Sequence, residues 1–202
     1  MPIFVMHSMK YLREHIKSGE VYRRSDLEYY STAVDRHLIQ LTQDGTLQKL
    51  SQGLYYAPKK SKFGFVPPDD HKLIESFLKD KSFLLVSPNT FNSLGLGLTQ
   101  LYNTCWVYNH KRHGEFKLNG KSFFFKLKPA FPLSLGKEYL LVELLNNLDD
   151  LAEDKEQTIN KFHKNIENFD AHDLMKMAQQ YGSGAAKKII KSALRKTQLL
   201  HA

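Results

Sequence analysis

The stretch Ser31-Thr-Ala-Val-Asp-Arg-His-Leu-Ile-Gln-Leu-Thr-Gln-Asp-Gly45, continued by Thr46-Leu-Gln-Lys-Leu-Ser-Gln-Gly-Leu-Tyr-Tyr-Ala-Pro58, decides the N-terminal fold. Val34, Leu38 and Leu41 recur at spacings of four and three, which places one apolar stripe along a helix over 32–44. Ser31 stands where a cap belongs and Gly45 where a left-handed residue ends the helix. Leu47–Leu50 and Leu54–Ala57 then flank Ser51-Gln-Gly53, and Pro58 follows. Two short apolar-bearing runs around a tight glycine turn read as a β-hairpin.

Working outward, residues 7–17 predict a helix with Met9, Leu12, His15 and Ile16 on one face and Gly19 behind it. Val21–Tyr22 is β-prone, and Ser25 or Asp26 can cap a brief helix through 27–29. Helix, short strand, two helices and hairpin is the element order of a winged helix–turn–helix. In that arrangement the second helix of the pair meets base edges, while the preceding helix and the hairpin cross phosphates. The stripe leaves Thr32, Asp35, Arg36, Gln40 and Gln43 outward. Arg and Gln can each make two hydrogen bonds, to guanine and adenine edges respectively. Tyr30 at the turn and Arg23, Arg24, Lys49, Lys59 and Lys60 around it complete the expected duplex-DNA contacts. Asp35 opposes them, since a carboxylate repels phosphate.

Residues 59–68 hold three lysines, one glycine and two prolines and read as a linker between a 1–58 domain and a 69–202 domain. Beyond it, Leu73, Ile74, Phe77 and Leu78 define a helix begun by Asp69 or Asp70, and 83–86 a strand. Ser87-Pro88 opens a short helix that ends at Gly95. Strands follow over 104–108, 114–118 and 122–128, the last two joined by Asn119-Gly120. Helices are expected over 137–150, 155–168, 171–181 and 184–199, with Asp170 and Ser183 as caps. The fold class expected is α+β: a winged helix–turn–helix, then a mixed domain ending in a helical bundle or in helices that cap the sheet.

The composition sets the partner class. The chain has 202 residues, a net charge of +8 and one cysteine. A single cysteine excludes a disulfide framework and multi-cysteine metal sites. The longest clean apolar run, 83–86, is far below the roughly 20 residues of a membrane span. Ile3–Met6 is too short for the core of a signal peptide, so a cytoplasmic protein without a membrane partner is expected. Residues 1–66 and 67–135 are each +4, and 136–202 is neutral, with 136–181 at −5. The last helix carries Lys187, Lys188, Lys191, Arg195 and Lys196 and no acid, which marks Lys187, Lys188 and Lys191 as a second candidate phosphate surface. Its apolar stripe, Ile189, Ile190, Ala193 and Leu194, would pack inward.

Tyr22-Arg-Arg-Ser-Asp-Leu27, Ser31-Thr-Ala-Val-Asp-Arg-His-Leu38, Leu41-Thr-Gln-Asp-Gly45 and above all Gly53-Leu-Tyr-Tyr-Ala-Pro58 carry a resemblance. The chain resembles AbiEi-type antitoxins of type IV toxin–antitoxin and abortive-infection systems. Leu85-Val-Ser-Pro-Asn-Thr-Phe-Asn-Ser-Leu-Gly95 with Leu98-Thr-Gln100 is similar to the entry to that family's second domain. The likeness covers about 1–130 and the C-terminal helices only generally; Asn92 and Asn103 stand where the family tends to a small aliphatic residue. It implies a bacterial winged-helix regulator that represses its own operon through inverted repeats. It also implies a nucleotidyltransferase-like toxin that is opposed without a stable complex.

Enzyme signals are weak, and no catalytic residue, metal or cofactor is expected. His110 and His113 lack accompanying carboxylates, and Cys105 lacks an activating base. Gly95-Leu-Gly97 lacks the Gly-Lys-Ser/Thr ending of a phosphate loop. Asp149, Asp150, Glu153, Asp154 and Glu156 suit the start of a helix. Phe123-Phe-Phe125 between Lys121 and Lys126 could stack on single-stranded nucleic acid, but three consecutive strand aromatics must put at least one in the core. An RNA-binding protein or a protein-interaction adaptor is the alternative reading.

Overall fold

The computed structural model describes residues 9–200, with side chains through Arg195. Ile3–Met6, the two first residues of the expected N-terminal helix and the side chain of Lys196 lie outside what is described. The chain is α+β. It divides into two compact units, one running to Phe83 and including Lys111–Phe123, the other comprising Leu84–His110 and the chain from Phe124 onward.

The first unit begins with α1 (Met9–His15), β1 (Val21–Arg23) and α2 (Arg24–Leu27), then a 3-10 turn over Glu28–Tyr30 and α3 (Val34–Gln43). The hairpin β2 (Gln48–Ser51) and β3 (Leu54–Tyr56) follows, and β1 joins it to make an antiparallel sheet in the order β1-β3-β2. Val21 pairs with Tyr56 and Arg23 with Leu54; a bulge lies between Lys49 and Ser51. The helix α3 starts two residues later than its stripe suggested. The hydroxyl of Ser31, itself buried, accepts the backbone N–H of Ala33 at 3.2 Å and holds 31–33 in a turn. The same oxygen meets His37 Nδ1 at 2.7 Å, so His37 joins the buried face. The core is Leu12, Leu27, Val34, Leu38, Leu41, Leu47 and Ala57.

Residues 59–68 are not an unstructured linker. They contain β4 (Lys59–Ser61) and β5 (Gly64–Val66), paired antiparallel around a two-residue loop. The first unit continues into α4 (Asp70–Leu78), capped by the Asp69 side chain on Lys72 N–H at 3.0 Å. Its Leu73, Ile74 and Leu78 are buried, and Phe77 meets Phe116 edge-on.

The remaining strands are β6 (Phe83–Val86), β7 (Thr104–Asn109), β8 (Gly114–Leu118) and β9 (Lys121–Leu127), in the order β6-β7-β9-β8. Asn119 and Gly120 both have positive φ, as the turn joining β8 and β9 requires. Pro88–Leu94 forms 3-10 rather than α-helix and stops at Gly95, φ +72°. The second unit is organised on α5 (Lys137–Asn146), whose residues 139–145 are all buried. Then come α6 (Lys155–Lys164), α7 (Ala171–Tyr181) and α8 (Gly184–Leu200), with 3-10 turns over Leu148–Asp150 and Ile166–Asn168 where longer helices were expected. Asp154 and Asp170 cap α6 and α7, and Ser183 Oγ accepts from Ala186 N–H. Phe123 and Phe125 are buried and Phe124 packs on the core, so this run is structural.

One buried charge sits among these apolar residues. Glu143 is wholly buried; Lys128 reaches it at 2.5 Å while lying 3.9 Å from the Tyr108 ring centre. Asn146 Nδ2 donates to the other carboxylate oxygen at 3.0 Å. The hydroxyls of Tyr108 and Tyr139 are buried beside this carboxylate without a hydrogen bond of acceptable geometry.

Candidate nucleic-acid interface

The outward face of α3 carries Asp35, Arg36, Ile39, Gln40 and Gln43, all exposed. Arg36 and Gln40 lie one turn apart, and neither side chain makes an ion pair or hydrogen bond among the described residues. Thr32 is exposed in the turn before the helix rather than in its first turn. Ile39, 59% exposed, is an apolar side chain on this face that the stripe did not single out.

The acid on this face is answered locally. Arg24 grips Asp35 with two nitrogens, at 2.7 and 2.8 Å, and Glu28 with a third at 2.7 Å. These hydrogen bonds raise the Arg24 guanidinium above its ordinary range and hold the Asp35 carboxyl below its own. The consequence for the sequence reading is mixed. Asp35 loses much of its repulsion for phosphate, but Arg24, facing two carboxylates, is not an unpaired cation. Arg23 is likewise engaged, through Asp26 at 2.9 Å. Tyr30 is half-buried, stacked on His15 with centroids 4.2 Å apart, while Tyr29 beside it is 73% exposed.

Lys49 on β2 and Lys59 on β4 are exposed and form no ion pair among the described residues. Lys60 lies 5.7 Å from the ring centre of Phe65. The first unit thus brings Thr32, Arg36, Gln40, Lys49, Lys59 and Lys60 to its surface with their polar groups available. It ties Arg23, Arg24 and Tyr30 into packing.

In the second unit, α8 buries Ala186, Ile190 and Ala193 and leaves Lys188, Lys191 and Arg195 exposed, with Lys187 half-buried. None of these four cations makes an ion pair among the described residues, although 136–181 carries a net charge of −5. Four of the acids in that stretch, which lie between the helices, are used elsewhere: Asp150 by Lys126, Asp149 by Lys155, and Asp154 and Asp170 as caps. Lys191, Leu194 and Arg195 line a groove of about 620 Å³ with Ala171, His172, Met175 and Gln179. Asp170, His172 and Asp173 place possible metal-ligand atoms within 4.8 Å of one another, all exposed, and Asp170 is committed to capping. His110 stacks on Phe131, and Cys105 Sγ lies 3.8 Å from the Val86 carbonyl. Among the described residues no helix is long and apolar enough to cross a membrane.

No protein-family profile and no curated protein matches the chain. Among solved structures, the chain is similar to the RV2827C protein from Mycobacterium tuberculosis. The two share 16% identity over 93% of this chain and 74% of that one, with a TM-score of 0.54. A likeness at that identity supports the α+β architecture and no activity.

Proposed function

We propose that the first unit is a winged helix–turn–helix that binds duplex DNA, with α3 entering the major groove and the β2–β3 hairpin as its wing. The observation that carries this reading is the state of the α3 surface. Among the described residues the side chains of Arg36 and Gln40 stand one turn apart with their donors uncommitted, and the neighbouring Asp35 is neutralised by Arg24. A helix face meant only for solvent gains from internal i,i+4 pairing; this one leaves its two best base-reading side chains unpaired. On this reading the protein is a non-enzymatic cytoplasmic regulator that represses its own operon through inverted repeats. The resemblance to AbiEi-type antitoxins adds a functional partner, a nucleotidyltransferase-like toxin that it opposes without a stable complex. Exposed Ile39 on the same face favours one competing reading, a protein-interaction surface.

The test is binding to the DNA upstream of the protein's own gene across a salt series. About four to six phosphate contacts give a log–log slope of roughly −4 to −5 per protomer. A flat salt response, no shift at low salt, or tighter binding to RNA of the same sequence overturns the proposal.

A further inference from the structure

The hairpin of β4 and β5 has no evident use within its own fold. Lys59 pairs with Val66, Lys60 with Phe65 and Ser61 with Gly64, leaving Lys62-Phe63 as the loop. Ser61 Oγ donates to the Gly64 carbonyl at 2.9 Å and accepts the Phe63 N–H at 3.2 Å, and Gly64 has φ +112°. Its base is fastened: Tyr56 Oη donates to the Val66 carbonyl at 2.8 Å, and Ser18 Oγ to the Pro58 carbonyl at 3.1 Å. Every residue of both strands is exposed. Phe63 at the tip is 100% exposed and Phe65 67%. Tight turns favour Gly, Asn, Asp, Ser and Pro, so a phenyl ring there is surplus to folding. Three lysines and no acid share the hairpin, and none forms an ion pair among the described residues.

We infer that this hairpin is a minor-groove wedge, in which Phe63 enters between adjacent base pairs of duplex DNA and Lys59, Lys60 and Lys62 meet the flanking phosphates. The inference rests on the duplex-DNA reading above and goes beyond it. Two paired strands lie about 4.8 Å apart before their side chains are counted. The minor groove is about 6 Å wide, so the ribbon stays outside and only the tip ring enters. Apolar side chains placed this way part base steps and kink the duplex. Charge complementarity selects the occupant, because an all-cationic rim around an aromatic tip suits a polyanion. Only Ala57 and Pro58 separate β4 from β3, so the second hairpin continues from the proposed wing.

The test uses the full chain on its upstream duplex, with 2-aminopurine placed at successive base steps and bending followed by end-to-end energy transfer. Wild type should enhance fluorescence at one step and bend the duplex. Phe63→Ala should lose both signals and about tenfold in affinity, with the salt slope and melting temperature unchanged, because the ring is wholly exposed. Phe63→Trp should retain the signals, and replacing Lys59, Lys60 and Lys62 by Gln should shallow the slope by about 2–3. A Phe63→Ala protein that still binds and bends as wild type overturns the wedge while leaving the DNA reading intact. Absence of wild-type duplex binding overturns both. Phe63-dependent capture of phosphatidylserine vesicles or of single-stranded oligonucleotide, with duplex binding indifferent to Phe63, overturns the wedge in favour of those ligands.

Discussion

At the scale of single residues, two side chains separate function from stability. Arg36 is exposed and unpaired among the described residues, so its replacement removes nothing the fold uses. Arg36→Ala should cost about 1–3 kcal/mol at one base pair and relax preference there, with the melting temperature unchanged. Lys49→Ala should instead weaken all sequences alike, as expected of a phosphate contact. Quantitative binding to a set of singly substituted duplexes distinguishes the two, and equal preference in Arg36→Ala would mean the wrong helix face. Lys128 is the opposite kind of residue. It is the cation that faces wholly buried Glu143. Removing one partner of a buried pair costs about 3–5 kcal/mol, whereas replacing both by apolar groups can be neutral. Lys128→Met should therefore lower the denaturation midpoint sharply, and adding Glu143→Leu should restore most of the loss. If the double variant is as unstable as the single, the pair is not the source of the defect.

At the scale of elements, α8 offers the cleanest separation of packing from charge. Its buried stripe, Ala186, Ile190 and Ala193, holds it in the second unit, and its cations make no ion pair among the described residues. Replacing Lys187, Lys188 and Lys191 together by Gln should leave the fold intact. If α8 touches DNA, affinity should fall and the salt slope should shallow by about 2–3; an unchanged slope makes the helix structural. The same elements show what the sequence could and could not disclose. The buried stripe of α3 was legible because Val34, Leu38 and Leu41 encode a helical period locally. Its start was displaced because the Ser31 hydroxyl bonds within a turn, a competition that periodicity does not register. The β4–β5 hairpin reads as a linker in the sequence because both its faces are exposed, which erases the alternation that marks a strand. The commitment of Arg24 to Asp35 joins residues eleven apart through the packing of α2 on α3, so residue spacing could not reveal it.

At the scale of the whole molecule, pH should act on the two units from opposite ends. In the first unit, Asp35 is held low by hydrogen bonds from Arg24, and Asp44 by bonds from Thr46 and then Arg13. A carboxyl depressed on folding contributes stability above its unfolded value of about 3.8 and loses it as pH falls through the folded value. Both groups are exposed, so that loss is small and screened by salt. In the second unit, burial pushes the phenols of Tyr108 and Tyr139 far above the ordinary tyrosine value of 10.0. A group raised on folding contributes stability that is complete below 10.0 and drains away above it, since only the unfolded chain then releases the proton. Burial lowers Lys128, which makes stability rise with pH between its folded value and 10.5, so the alkaline loss belongs to the tyrosines. Above about pH 10 the second unit should unfold in a cooperative step in which helical circular dichroism disappears as part of the tyrosinate absorbance appears. Tyr108→Phe, which also removes a buried hydroxyl lacking a good hydrogen bond, should move that step to higher pH. If Tyr108 and Tyr139 ionise near pH 10 while the helices persist, they are reached by water and the core of the second unit is packed differently.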